Sequence, residues 1–132
     1  MDKTPHGHVH WSELMTHDPE AARTFYEETL GWTFSEMPMP GGGAYLLAMG
    51  NGERPIAGIF DLRGEADYAD TPSGWMTYVA VDDIDDRIKK AEAAGGKVLQ
   101  APFEVPGTGR IAMILQADGA MVGWMTPAAG TA

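Results

Sequence analysis

Apolar positions change their period along the chain, and the changes come twice. Val9 to Met15 form an apolar and aromatic stretch that ends in Thr16-His17-Asp18-Pro19. Asp before Pro is a strong helix start: the carboxylate accepts from free first-turn amides, and proline has no amide to leave unpaired. Ala22, Phe25, Tyr26 and Leu30 then recur at helical spacing and Gly31 supplies the stop, which predicts an amphipathic helix over about residues 19–30. Three strand-like stretches follow, Trp32 to Glu36, Ala44 to Met49 and Pro55 to Phe60. The segments 38–43 (PMPGGG) and 50–52 (GNG) read as the turns between them.

An acidic, breaker-rich linker, Arg63 to Ser73, separates this run from its echo. Trp75 to Val81 reads as a strand, Asp82-Asp83 precedes a helix carrying Ile84, Ile88 and Ala91, and Gly95-Gly96 ends it. Lys97 to Gln100, Arg110 to Gln116 and Ala120 to Thr126 are the next strand candidates. A shift of 65 positions lays Asp18 on Asp83, Gly31 on Gly96 and Gly58 on Gly123. A repeat of that period with one order of elements predicts tandem βαβββ modules, residues 8–62 and 74–127, within a single domain spanning 1–132. The expected class is α+β, a curled, mostly antiparallel eight-stranded sheet around a cavity with both helices outside.

Composition narrows the function classes. Nine basic residues against 19 acidic ones, a net charge of −10, argue against a nucleic-acid partner, since phosphate binding is driven by Lys and Arg. No apolar run approaches the roughly 20 residues of a membrane span, and the N-terminus has no apolar signal-peptide core, so no membrane association and a cytoplasmic location are expected. The absence of cysteine removes thiolate metal sites, disulfides and a Cys nucleophile. Ser12, Ser35 and Ser73 lie in no nucleophile-elbow context, and Gly41-Gly42-Gly43 opens no helix, as a phosphate loop would.

The segments DPEAARTFYEETLGW, VDDIDDRIKKAEAAGGKV and GRIAMILQADGAMVGWMTP resemble the glyoxalase/bleomycin-resistance/extradiol-dioxygenase superfamily, the vicinal oxygen chelate fold, over about residues 8–127. The resemblance implies a ligand cavity inside the curled sheet and a homodimer. It also implies four metal-ligand places, which fall on Trp11, Gly58, Met76 and Gly123. None of these residue types suits a hard divalent ion, so no metal and no cofactor are expected. His6, His8 and His10 alternate ahead of the first strand. They read either as a polar edge or as a surface metal site, and a one-residue slip would turn His10 inward.

With those substitutions the implied cavity becomes apolar. Residues sharing its face at period two are Glu13 and Met15, Ile56 and Phe60, and Met121 and Met125. Trp11, Glu13, Gly58, Phe60, Met76, Met121, Gly123 and Met125 are the candidate ligand contacts, with Gly58 and Gly123 taken to leave space opposite Trp11. Ile56, Met121 and Met125 read equally as core filling. Glu13 is the weak catalytic candidate: it serves either as an acid/base group or as a structural carboxylate, and Arg110, at the start of the seventh strand, reads as its partner or as a cap on the cavity mouth. Trp124 has the opposite parity and is expected under a helix. The leading expectation is metal-independent binding of a small aromatic or apolar molecule, as bleomycin-resistance-like members bind theirs. The alternatives are a glyoxalase-like lyase or isomerase, or a dioxygenase-related enzyme acting on a small oxygenated substrate.

Overall fold

A computed structural model describes residues 4–39, 44–50, 52–105 and 108–128 of the chain. The predicted turn residues 40–43 and 51 lie outside that range. The strands and helices follow in the order β1 (Val9–Thr16), α1 (Pro19–Leu30), β2 (Thr33–Pro38), β3 (Ala44–Gly50) and β4 (Ala57–Asp61), then β5 (Gly74–Ala80), α2 (Ile84–Ala93), β6 (Lys97–Val105), β7 (Gly109–Leu115) and β8 (Met121–Pro127). The order is βαβββ twice, and the class is α+β. No helix among the described residues is long and apolar enough to cross a membrane.

The chain forms two compact units. One is Ser12–Trp75. The other joins the N-terminal segment through Trp11 to the chain from Met76 onward.

In Ser12–Trp75 the strands pair in the order β2-β3-β4-β1, antiparallel except for β4 with β1. The predicted cap is formed: the Asp18 carboxylate accepts from the Ala21 amide at 3.0 Å, with Pro19 opening the helix. Gly31 ends α1 at φ 70°, a left-handed conformation that a side chain would strain. Leu14, Leu46 and Ile59 form the core beneath α1, meeting Ala22 and Tyr26 from the helix and Phe34 from β2. The helical periodicity also pointed Phe25 and Leu30 inward, but they remain 58% and 52% exposed. Ala22 and Tyr26 occupy the narrow face that reaches the sheet. Phe25 instead lies edge-on to Tyr26, ring centroids 5.2 Å apart.

In the other unit the order is β5-β8-β7-β6, again with one parallel pair, β5 with β8. Asp83 caps α2 by accepting from the Asp86 amide, and the Thr126 hydroxyl accepts from the Ile84 amide at 3.1 Å. The helix ends at Ala94, and Gly95 takes the positive φ, 94°. Val81, Ile84, Ala112, Ile114 and Val122 are buried beneath α2, and Trp124 packs against them, as its parity predicts. The N-terminal segment adds to this unit: the Gly7 amide donates to the Ala80 carbonyl at 2.7 Å, and the Ala80 amide to His8 at 2.9 Å. β6 outruns its sequence reading by five residues. It crosses Pro102 with two irregularities in its register against β7, and a strand bonded on one edge tolerates a residue lacking an N–H.

The linker between β4 and β5 is anchored. The Leu62 amide donates to the Thr16 carbonyl, and a short 3-10 turn, Ala66–Tyr68, buries Tyr68 to 3% exposure. His17 ties the linker's end: its backbone amide donates to Ser73 Oγ at 3.1 Å, and its Nε2 to the Thr71 carbonyl at 2.7 Å.

Candidate ligand-binding site

Each sheet has a helix side and an opposite side, and strand alternation decides which residues go where. Leu14 lies under α1, so Glu13 and Met15 occupy the other face of β1, while Trp11 belongs to the other unit. Gly58 is opposite Glu13 and Phe60 opposite Met15 in the β1–β4 register, which brings Glu13, Gly58 and Phe60 onto one face. Tyr45 of β3 joins them. Its hydroxyl donates to Glu13 Oε1 at 2.7 Å, and Glu13 is only 5% exposed. A hydroxyl-to-carboxyl hydrogen bond of this length at a buried side chain is expensive to leave unmade.

The space attributed to Gly58 is occupied. A Cβ added there would collide with the hydroxyl end of Tyr45, so the glycine is what admits the phenol to Glu13. In the other unit, Val79 and Trp124 lie on the α2 side, which puts Met76, Tyr78, Met121, Gly123 and Met125 on the opposite face. Tyr78 is paired with Gly123, and a Cβ on that glycine would strike the root of the Tyr78 ring. Neither glycine is therefore a void within its unit. Met76, Tyr78 and Met125 are 5%, 8% and 4% exposed, and Met121 is half-buried. Ile56 is 51% exposed and precedes β4, so it fills no core.

Arg110 does not partner Glu13. Its guanidinium binds Asp85 Oδ1 and Oδ2 at 3.0 and 3.1 Å and reaches Glu104 at 3.5 Å. Under the 65-residue shift Arg110 corresponds to Tyr45, but the second hairpin is offset by one. Leu47 faces Gly58 in the first unit, whereas Met113, and not Ala112, faces Gly123 in the second. One residue of slip moves a side chain to the other face, which turns Arg110 to the α2 side.

Several other ionisable groups are engaged in structural contacts. Hydrogen bonds from Arg87, Arg110 and Arg63 hold the carboxyls of Asp82, Asp85 and Asp61, respectively, below the ordinary range, so all three are ionised near neutrality and are poor proton donors. His6 Nδ1 accepts the Asp82 amide at 3.0 Å and lies 3.4 Å from the Asp82 carboxylate. His10 Nδ1 shares a 2.6 Å hydrogen bond with Thr4, and burial lowers its pKa. Among the described residues no three His, Asp or Glu side chains converge as metal ligands. The places implied for a metal, Trp11, Gly58, Met76 and Gly123, offer at most one thioether, a donor set that does not fit a hard divalent ion.

Tyr45 and Tyr78 were not among the sequence-derived candidates. Their signal lay in the repeat: the 65-residue shift lays Glu13 on Tyr78, each opposite a glycine. His17 was missed too. It lines a cavity of about 280 Å³ with Leu62, Gly64, Glu65, Ala66 and Ala69.

Comparison with known proteins places this architecture. The family model described as Glyoxalase/Bleomycin resistance protein/Dioxygenase superfamily matches residues 7–123. A Mycobacterium bovis protein named "Putative glyoxylase CFP32" is 38% identical over 118 residues, covering 89% of this chain and 44% of the relative. The "Anthracycline biosynthesis protein DnrV" of Streptomyces peucetius is 31% identical, covering 83% of this chain and 43% of that protein. The chain thus spans less than half the length of these relatives. Among solved structures, a methylmalonyl-CoA epimerase from Streptomyces coelicolor superposes with a TM-score of 0.65 at 17% identity, over 95% of this chain and all of the other, a likeness of fold.

Proposed function

The chain belongs to the glyoxalase/bleomycin resistance protein/dioxygenase superfamily, and on that premise we propose that it binds a small, largely aromatic molecule without a metal ion. The observation that carries this reading is the Tyr45–Glu13 hydrogen bond on the face opposite α1, set among apolar side chains. Ligand sites are mostly apolar surfaces with a few placed polar groups, and this face has that make-up. The relative named for anthracycline biosynthesis supports a polycyclic aromatic as the ligand class. Phe60, which lies opposite Met15 on the same face, supplies a stacking surface worth about 0.5–1.5 kcal/mol beyond area burial.

Calorimetric titration with a panel of polycyclic aromatics tests the proposal. Binding should survive exhaustive dialysis against chelator and weaken roughly tenfold in Phe60→Ala, about 1.4 kcal/mol. Binding that disappears with chelation and returns with one divalent ion per chain would overturn the metal-independent reading. A homodimer is part of the same proposal, supported by relatives about twice this length. Sedimentation showing only a species of one chain's mass would refute it.

A second reading has Glu13 as a general base in lyase or isomerase chemistry, favoured by its burial and by the relative named as a glyoxylase. Turnover of the methylglyoxal–glutathione hemithioacetal that is lost in Glu13→Gln would establish it.

A further inference from the structure

Resting on the homodimer proposed above, we infer that its contact centres on an exposed aromatic patch along the second half of α1, with a second copy of this chain as the partner. Phe25, Leu30 and Trp75 are 58%, 52% and 46% exposed. They are joined through the rings between them. Phe25 lies edge-on to Tyr26, and the Tyr26 ring is 4.8 Å from Trp32 and 5.9 Å from Trp75, centroid to centroid. Leu30 follows Tyr26 by four positions, which makes it Tyr26's neighbour on the helix surface. A single exposed apolar side chain says little, but a contiguous set marks a surface that something covers.

Area and charge define the partner. A half-exposed large side chain leaves about 100 Å² open, so Phe25, Leu30 and Trp75 together present about 300 Å², the scale of a functional patch. A stable interface takes about 800 Å² from each partner, so the patch is the apolar centre of a larger contact. A two-fold contact sets a surface against itself, which a rim of one sign would resist. Here the rim carries both signs: Arg23 and Glu27 form a 3.3 Å ion pair beside Tyr26, and the Arg23 guanidinium lies 5.6 Å from the Phe34 ring. A chain of net charge −10 meets its own copy with least repulsion through such an uncharged centre, and the same charge repels phosphate-bearing partners. Relatives about twice this length have room for a second such domain beside the first, which supports a copy of this chain as the occupant.

The test is sedimentation equilibrium of the intact chain and three variants over a range of concentrations. Phe25→Glu and Leu30→Lys each put a charge into the patch, and a two-fold contact meets that charge twice. Each should raise the dimer dissociation constant roughly tenfold or more. Neither threatens the helix: glutamate is a better helix former than phenylalanine, and a cation in the last turn suits the helix dipole. Val9, 68% exposed, belongs to the other unit, and Val9→Asp should leave the constant within about twofold. A wild-type dimer that Phe25→Glu and Leu30→Lys leave intact overturns this interface while the homodimer stands, and so does a Val9→Asp effect as large as theirs. A wild-type chain that sediments as a monomer throughout overturns the homodimer and the interface with it.

Discussion

The two units solve the same packing problem with different side chains. In each, a glycine on the last strand faces, across a parallel pair, the residue that alternation directs away from the helix: Gly58 faces Glu13, and Gly123 faces Tyr78. In Ser12–Trp75 a carboxylate takes that place and a tyrosine from β3 covers the glycine, so the contact is polar and ends at a hydroxyl. In the other unit the tyrosine is itself the facing residue, and its ring lies over Gly123. A duplicated frame has thus kept its glycines while one copy carries a proton-accepting pair and the other a buried ring.

The glycines provide the largest test of that contrast. Gly123→Ala drives a methyl into the base of the Tyr78 ring, which cannot retreat without moving its strand, and should cost about 3 kcal/mol, the upper end for overpacking. Gly58→Ala meets only the far end of Tyr45, which can swing aside, and should cost about 2 kcal/mol, chiefly the bond to Glu13 that it breaks. Urea unfolding of both variants measures the difference, and equal costs would show that the two tyrosines are equally held.

Tyr45→Phe keeps the ring and removes the proton given to Glu13. Taking a donor from a buried acceptor makes the expected loss about 2 kcal/mol. An unfolding free energy within experimental error of wild type would mean that Glu13 is satisfied without Tyr45, and the contrast between the units would lose its polar member.

The helix caps are a control in which the units should agree. Asp18→Ala and Asp83→Ala each remove one side-chain acceptor from a first turn and should each cost about 1 kcal/mol. A gap larger than the cost itself would show that the repeat is not mechanically equivalent at its best-matched position.

The smallest effect is on pH dependence. Burial lowers the His10 pKa beneath its usual 6.5, so between the two values the unfolded chain binds the proton more readily. His10's contribution is therefore fully present above pH 6.5 and fades as pH falls toward the folded value. The thermal midpoint should drop between pH 7.5 and 5.5, and by less in His10→Gln. An identical drop in that variant would assign the effect elsewhere.

Much of the frame was legible because local chemistry and the repeat agreed. Asp-Pro and Asp-Asp marked both helix starts, and period two placed Leu14 and Trp124 on the helix sides and Glu13 on the other. The failures share one cause: sequence gives parity and spacing, but not what fills a gap. Gly58 and Gly123 read as space because nothing local announced Tyr45 and Tyr78. Arg110 read as a Glu13 partner or a cap on the cavity mouth, and the one-residue offset of the second hairpin turns it to Asp85 on the α2 side instead. Phe25 and Leu30 fit the helical period, yet periodicity specifies a stripe and not how wide a stripe the sheet can cover.

The ring cluster at the end of α1 gives the protein an optical signature. Tyr26 stacks on Trp32 at 4.8 Å, and Trp32 and Trp75 lie 6.4 Å apart nearly at right angles, with the Trp75 indole N–H donating to Tyr26 at 3.0 Å. All three belong to Ser12–Trp75, whereas Trp11 and Trp124 belong to the other unit. Indoles at such separations couple their transitions, so the near-ultraviolet circular dichroism should be dominated by Trp32 and Trp75 and vanish when that unit loosens. With Trp32 and Trp75 replaced by Phe, the remaining emission comes from Trp11 and Trp124. The two halves of one chain can then be watched melting in separate spectral channels.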